Sequence, residues 1–416
     1  MQPSESEPVV VTGIGAITPI GSGADGLWRG ALSGRSAVDR VRGFDPTPFI
    51  THVAAEVSYF DPRDHLDAKQ VRRLDRYSQF AVATAKMALQ DADLEPSALP
   101  SERVGVCVGT ALGGISFAES QHGAYVEKGL KGVSPLLALA IYAGAASCNV
   151  AIEFGFTGPA TANGDSCASA AIALGNALHY LRRGEADVMI AGGSEATLSP
   201  LAFGAFALIR AMSQRNDDPA TASRAFDRDR DGFVMAEGAA MLVLERKSHA
   251  EKRGARVYAE LASYALTNDA HHMTAPRPDA ACAARAMRLA LEQAGVAPEE
   301  LAAVKAHGSS TPLNDSTETR AIKTAVGEEN AQRVPVFGTK AMHGHALGAT
   351  GAFEAALCCQ AIATGVLPPT INVLTRDPEC DLNLTTDGPR PFTPGPILAN
   401  TFGFGGINAC LLFRPA

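Results

Sequence analysis

Short β-branched apolar runs alternate with longer Ala/Leu-rich segments along the whole chain, and this rhythm most restricts the fold. The runs Pro8–Thr12, Val104–Val108, Val188–Ala191, Met241–Leu244, Val304–Ala306 and Cys410–Phe413 read as strands. The segments Tyr77–Ala92, Ala168–Arg183, Ala281–Ala294, Ser316–Val326 and Gly351–Thr364 read as helices. Strands of this shortness, apolar throughout, suit sheets covered on both faces, so an α/β layered protein is expected. Gly184 and Gly295 follow two of the helices, where C-terminal stops belong. No Pro/Ser linker divides the chain. The nearest seam is the charged segment Lys247–Gly254 before the strand-like run Val257–Tyr264, which predicts tightly packed halves of residues 1–255 and 256–416. Each half holds a strand, a Gly-rich turn and a helix, as a duplication would.

Composition excludes several classes. Hydrophobic residues are 46% and charged residues 19% of 416, too apolar for a disordered chain. The net charge is −8 without basic runs, which argues against nucleic-acid binding. No apolar stretch approaches the ~20 residues of a membrane span. The start, Met1 to Gly13, is acidic and polar before one short apolar run, unlike a secretory leader. Eight Cys at irregular spacing form no C-x-x-C pair, which fits a reducing, cytoplasmic compartment. The 40 Gly are the oddity, because Gly weakens helices and strands alike. They imply either loops or backbone crowded against something.

Three motifs could carry chemistry. Asn163-Gly-Asp-Ser-Cys167-Ala-Ser169 leads into an Ala-rich helix. A Cys at a helix N-terminus meets free N–H groups and partial positive charge, which lower a thiol pKa; a small buried hydrophobe is the plainer alternative. His307 in Lys305-Ala-His-Gly-Ser-Ser-Thr311 and His345 in Lys340-Ala-Met-His-Gly-His345 occupy Gly-rich turns, the first straight after a strand. Together with the Cys they could supply a nucleophile and two hydrogen-bonding partners; singly, each His is a surface or capping residue. Phe402-Gly-Phe404-Gly-Gly406-Ile-Asn408 is expected to be neither good strand nor helix, a tight bend whose N–H groups could face an oxyanion.

Other patterns fail. Gly13-Ile-Gly15 continues into Thr18-Pro19 rather than a third Gly and a helix. Asp227-Arg-Asp-Arg-Asp-Gly232 begins like a calcium loop but has Gly238 at the twelfth position. His271-His272 and His343-Gly-His345 lack further ligands at a supporting spacing, so no metal is expected.

Taken in order, the motifs resemble those of elongating β-ketoacyl-acyl carrier protein synthases of the thiolase superfamily, nearest the KAS II-like ketosynthases. The resemblance runs from Val9-Val-Val-Thr-Gly-Ile-Gly15 through Ala191-Gly-Gly-Ser-Glu195, Arg230-Asp-Gly-Phe-Val234 and Asn268-Asp-Ala-His-His-Met-Thr274 to Asn400–Asn408. It implies a thiolase-like fold, a duplicated five-layer αβαβα architecture. It implies decarboxylative condensation of a Cys-bound acyl chain with malonyl-acyl carrier protein, in fatty-acid or type II polyketide or polyene synthesis. The family nucleophile falls on Cys167, its two catalytic His on His307 and His345, and its Lys on Lys340 with Glu354 as partner. Orienting the His turn through Glu354 remains an alternative role for Lys340. The gating aromatic falls on Phe404 beside Phe402, and pantetheine-contacting hydroxyls on Ser309 and Thr311. His272 matches the carrier entrance and Leu112 a boundary of the acyl pocket.

No cofactor is implied, since phosphopantetheine arrives on the carrier protein. The implied partners are that carrier and either a second copy or a chain-length-factor-like paralogue. The chain departs from the usual pattern at Asp165-Ser166 before the nucleophile, at Ser309, and at His343 where Thr is usual. Those changes bear on the substrate. A non-catalytic chain-length partner would lack the nucleophile that Cys167 supplies, and a degradative thiolase would need a second Cys near Phe404–Gly406.

Overall fold

The apolar runs become strands covered on both faces, and the Ala-rich segments become the helices that cover them. The computed structural model describes residues 7–416, so the first six residues of the leader reading lie outside the described residues. In chain order the main strands are β1 Val9–Thr18, β2 Val104–Gly109, β3 Ala160–Asn163, β4 Val188–Glu195, β5 Gly238–Arg246, β6 Ala259–Asn268, β7 Ala303–Lys305, β8 Val336–Phe337, β9 Ile397–Gly403 and β10 Ile407–Arg414. Five helices build the layers: α1 Arg76–Asp91, α2 Ser169–Arg182, α3 Ala281–Ala294, α4 Pro312–Val326 and α5 Thr350–Thr364.

The strands are hydrogen-bonded in the order β8-β7-β9-β10-β6-β1-β5-β4-β2-β3. This path is one five-strand pattern used twice. In one half β1–β5 and β5–β4 are antiparallel while β4–β2 and β2–β3 are parallel. In the other, β6–β10 and β10–β9 are antiparallel while β9–β7 and β7–β8 are parallel. The two sheets touch through β1 and β6 only at Val10↔Glu260 and Val11↔Ala259. Helices α2 and α5 pack on each other and on strands of both halves, α1 covers the first sheet, and α3 with α4 covers the second. That is a five-layer αβαβα thiolase-like fold. Thr350 to Ile362 of α5 are all buried, as a helix between two sheets must be.

Several boundaries move from the sequence reading. β1 runs on to Thr18, through Gly13 and Gly15. A Cβ at those positions would stand 2.2 Å from the Ala88 carbonyl oxygen and 2.0 Å from that of Thr84, so these glycines let α1 sit down on the strand. Helix α4 starts at Pro312 rather than Ser316 because the Thr311 side chain accepts from Asn314 N–H and caps it. Phe402, Gly403, Ile407 and Asn408 are strand rather than bend, held by the Phe402↔Asn408 and Gly403↔Ile407 pairs. Only Phe404–Gly406 turns. The Asp227–Gly232 stretch is a brace, with buried Arg230 bonded to Asp377 and near Asp315. Among the described residues, no helix is long and apolar enough to cross a membrane.

Candidate active site

The first half delivers Cys167. Strand β3 ends at Asn163, the chain turns with Ser166 at φ +54°, and a 3-10 turn, Ser166–Ala168, runs into α2. Cys167 is 7% exposed. The Ser166 hydroxyl lies 3.8 Å from its sulfur, and the Phe404 N–H also reaches the thiol. The expectation of a depressed thiol pKa is corrected. Burial pushes the thiol above its ordinary range, and Ser166, the Lys340 charge and the Phe404 N–H only partly offset it.

The second half delivers both His. His307 follows β7 by two residues, and its ring lies 5.5 Å from that of His345 at 80°. Glu318 of α4 accepts from His307 N–H at 2.7 Å and from Gly308 N–H at 2.8 Å. Lys340 donates to the His307 carbonyl, and its Nζ lies 3.4 Å from His307 Nδ1. An ammonium facing Nδ1 makes that nitrogen the acceptor and leaves the proton on Nε2. His345 is held by main-chain bonds to Val234 and Ala236, and its Nδ1 lies 2.9 Å from Thr350 Oγ1. Burial, with Lys340 nearby, depresses both imidazoles well below their usual range, so both are neutral near pH 7.

Cys167, His307 and His345 line one cavity of about 320 Å³, together with Ser309, Thr311, Phe402 and Phe404. Phe402 sits 5.8 Å from the His307 ring, Phe233 is 5.4 Å from His345, and Phe206 stacks 6.4 Å from Phe404. The Ser309 and Thr311 hydroxyls bond each other at 2.8 Å on the wall. Lys340 lies behind His307, 2.6 Å from Glu354 Oε1. Besides Lys340 and Glu354, two further sequence candidates stand outside the cavity. His272 is exposed and accepts from Thr274 N–H at 3.1 Å, and it is Thr274 and Ala275 of its loop that form the wall. Leu112 is exposed and does not line this cavity. Its N–H points to Glu195, a buried carboxyl that also accepts from Ala111 and Gly348.

Most of the turn glycines do not line the cavity. Gly344 and Gly348 are crowded by the protein itself, with Ala236 and Ala111 atoms inside 3 Å of a Cβ, and Gly164 meets nothing closer than 3.9 Å. Gly403 and Gly406 do line the cavity.

Sequence reasoning passed over Lys305, Glu318, Glu195 and Thr350. A lysine inside the apolar run Ala303–Ala306 was the visible signal for the first. Glu195 ends one of the motifs that carry the resemblance, while nothing in the spacing of Glu318 and Thr350 separated them from surface groups. Among the described residues, no three His, Cys, Asp or Glu side chains converge to hold a metal ion.

Comparisons with known proteins place the whole chain in one family. The beta-ketoacyl synthase N-terminal domain matches residues 6–250 and its C-terminal domain residues 258–374. A 3-oxoacyl-[acyl-carrier-protein] synthase 2 of Synechocystis sp. is 43% identical over 410 residues, 99% of this chain and 98% of its own. One from Staphylococcus aureus is 40% identical over 411 residues, 99% of each chain. Among solved structures, the ishigamide ketosynthase/chain length factor superposes with a TM-score of 0.93 at 34% identity, covering 99% of this chain and all of that one. A type II polyketide acyl-carrier protein in complex with its ketosynthase gives 0.88 at 36%, with the same coverage.

Proposed function

This chain belongs to the β-ketoacyl synthase family, and from that premise we propose that Cys167, His307 and His345 carry its condensation chemistry. The enzyme is a condensing acyltransferase that extends an acyl chain on acyl carrier protein, in fatty-acid or type II polyketide synthesis. The observation that carries the site assignment is the meeting of one thiol and two neutral imidazoles in a single aromatic-walled cavity.

Cys167 sulfur attacks the carrier-bound acyl thioester, and its proton ends on the departing pantetheine thiol. The oxyanion of that step forms beside the N–H groups of Cys167 and Phe404. Malonyl-carrier protein then takes the emptied channel, its pantetheine passing the Ser309 and Thr311 hydroxyls. The thioester oxygen accepts from Nε2–H of His307 and of His345. As CO₂ leaves, the electron pair moves into the enolate held by these two donors. The enolate carbon attacks the acyl-Cys carbonyl, the sulfur departs as thiolate, and a product longer by two carbons remains on the carrier. Lys340 supports the second half by fixing the His307 tautomer.

The partner reading extends this. Acyl carrier protein brings the phosphopantetheine, so the chain is proposed to need no cofactor of its own. Residues 1–255 and 256–416 are proposed as the two thiolase-like halves, supported by the single β1–β6 joint. A homodimer, or a heterodimer with a chain-length-factor-like paralogue, is proposed because Leu112 and neighbouring Ile141 and Tyr142 are exposed. His272 is proposed to face the arriving carrier, and a cytoplasmic location is proposed because all eight cysteines are free. Intact mass spectrometry after mixing with acyl-carrier protein tests the nucleophile. An acyl adduct is expected on the parent chain and none on Cys167→Ala; an adduct persisting on that variant would move the nucleophile elsewhere. Sedimentation at micromolar concentration tests the dimer.

A further inference from the structure

Two ammonium groups converge on one carboxylate oxygen behind the His307 turn. Lys305 Nζ and Lys340 Nζ each lie 2.6 Å from Glu354 Oε1, and all three side chains are no more than 2% exposed. Glu354 Oε2 is buried and, among the described residues, without a hydrogen-bond partner. One lysine would neutralise Glu354. The second leaves a surplus positive charge inside the protein, where an incompletely paired ion is costly. Ion pairing alone therefore does not account for Lys305.

Its other acceptor does. Lys305 Nζ donates to the Ala306 carbonyl at 2.8 Å, and Lys340 donates to the His307 carbonyl. On the amide side, Glu318 accepts from the N–H groups of His307 and Gly308. The backbone around His307 is thus gripped at two successive carbonyls by ammonium groups and at two successive amides by a carboxylate. Because Lys305 shares Glu354, Lys340 does not hold that carboxylate alone and keeps a donor turned toward His307 Nδ1.

We propose that Lys305 is a positioning residue for the decarboxylation half-reaction. It clamps the Ala306 carbonyl, divides Glu354 with Lys340, and adds its charge to that of Lys340 behind His307, which burial already holds as a neutral N–H donor. The proposal rests on reading His307 as that donor. The titratable groups around this cluster are Lys305 at the end of β7 and His307 just after it, Lys340, His343 and His345 after β8, Glu354 and Cys358 of α5, and Glu318 of α4.

The test separates the two half-reactions on the full chain. Acylation of Cys167 is followed by intact mass, and loss of CO₂ from malonyl-carrier protein is followed across pH. Lys305→Met removes the charge and the clamp; Lys305→Gln keeps an amide donor but no charge. Lys305→Met is expected to slow decarboxylation about tenfold, typical of coupling within one hydrogen-bonded network, while acylation stays within about twofold. In both variants the acid limb of decarboxylation moves to higher pH, because removing a nearby cation makes His307 easier to protonate. Lys305→Gln recovers part of the rate above that limb. Equal losses in both half-reactions, an unmoved acid limb in Lys305→Gln, or unchanged decarboxylation in Lys305→Met overturns the proposal. Should Lys305→Met fail to fold, the acid limb of Lys305→Gln decides alone. His307→Ala distinguishes the two layers. Decarboxylation surviving that change removes the donor reading itself, whereas its loss beside normal Lys305 variants removes only the role of Lys305.

Discussion

Thr350 Oγ1 stands 2.9 Å from His345 Nδ1, at the first residue of α5, where its hydroxyl can donate to the ring. With the hydroxyl donating to Nδ1, the ring proton sits on Nε2 and points into the cavity. Thr350→Val keeps the shape and removes the donor. Decarboxylation is expected to fall about tenfold, the rate equivalent of a ~1.4 kcal/mol hydrogen bond. Acylation of Cys167 should change little. Equal rates for parent and variant in the malonyl assay would count against this tautomer.

The pH profile follows from two opposite shifts. The imidazoles of His307 and His345 are both depressed well below their ordinary range by burial. They stay neutral as the pH falls through 6.5, so condensation should show no acid limb there. The Cys167 thiol is raised by burial. Its alkylation by iodoacetamide should rise with pH to a midpoint above that of an ordinary thiol, and further still in Lys340→Met, which loses a charge that favours the thiolate. A midpoint under pH 8 would show that the helix N-terminus outweighs burial.

Two buried carboxyls should make stability depend on pH in an unusual direction. Burial raises Glu195 and Glu318 to about 7. Their folded values lie above those of the unfolded chain, so the protonated forms favour the native state. That contribution is complete below about pH 4 and is lost as the pH climbs through 7, on the order of 3 kcal/mol for each. Glu318→Gln should flatten the fall in unfolding free energy between pH 5 and 8, as read by denaturant titration. An equally steep fall in the variant would remove Glu318 from the account.

Packing of α1 on β1 gives a sharper stability test. Gly13→Ala and Gly15→Ala each drive a methyl into a helix carbonyl and should cost more than ~3 kcal/mol. Gly184→Ala, at φ +69° with nothing within 4 Å, should cost only about 1 kcal/mol. Thermal melts that rank the three alike would contradict this contrast.

The layers and the residues that meet in the cavity were more legible in the sequence than what supports them. Helix α3 was read at its observed bounds, Ala281–Ala294, because its apolar period and its Gly295 stop agree. Cys167, His307 and His345 were legible because each sits in an unusual Gly-bearing turn. Glu318 was not, since a glutamate in a polar helix looks like any surface group until the fold turns it toward the His307 amides. The glycines show crowded backbone without naming what crowds it. A close approach between a strand and a helix, as at Gly13 and Gly15, leaves the same mark in a sequence as room made for a ligand.

The proposed catalytic centre lies where α2 and α5 begin side by side, one bringing the sulfur of the first half and the other anchoring the imidazole of the second. A Cβ on Gly351 would come within 3.1 Å of Ala171 N, so these two helix ends have no room to slide. Exchanging halves between related enzymes is therefore not a modular operation. A chimaera whose sheets each fold correctly would still lose its reaction if the helix pair settled a fraction of an ångström out of register. The tolerance of the chemistry is set by a packing contact that touches no substrate.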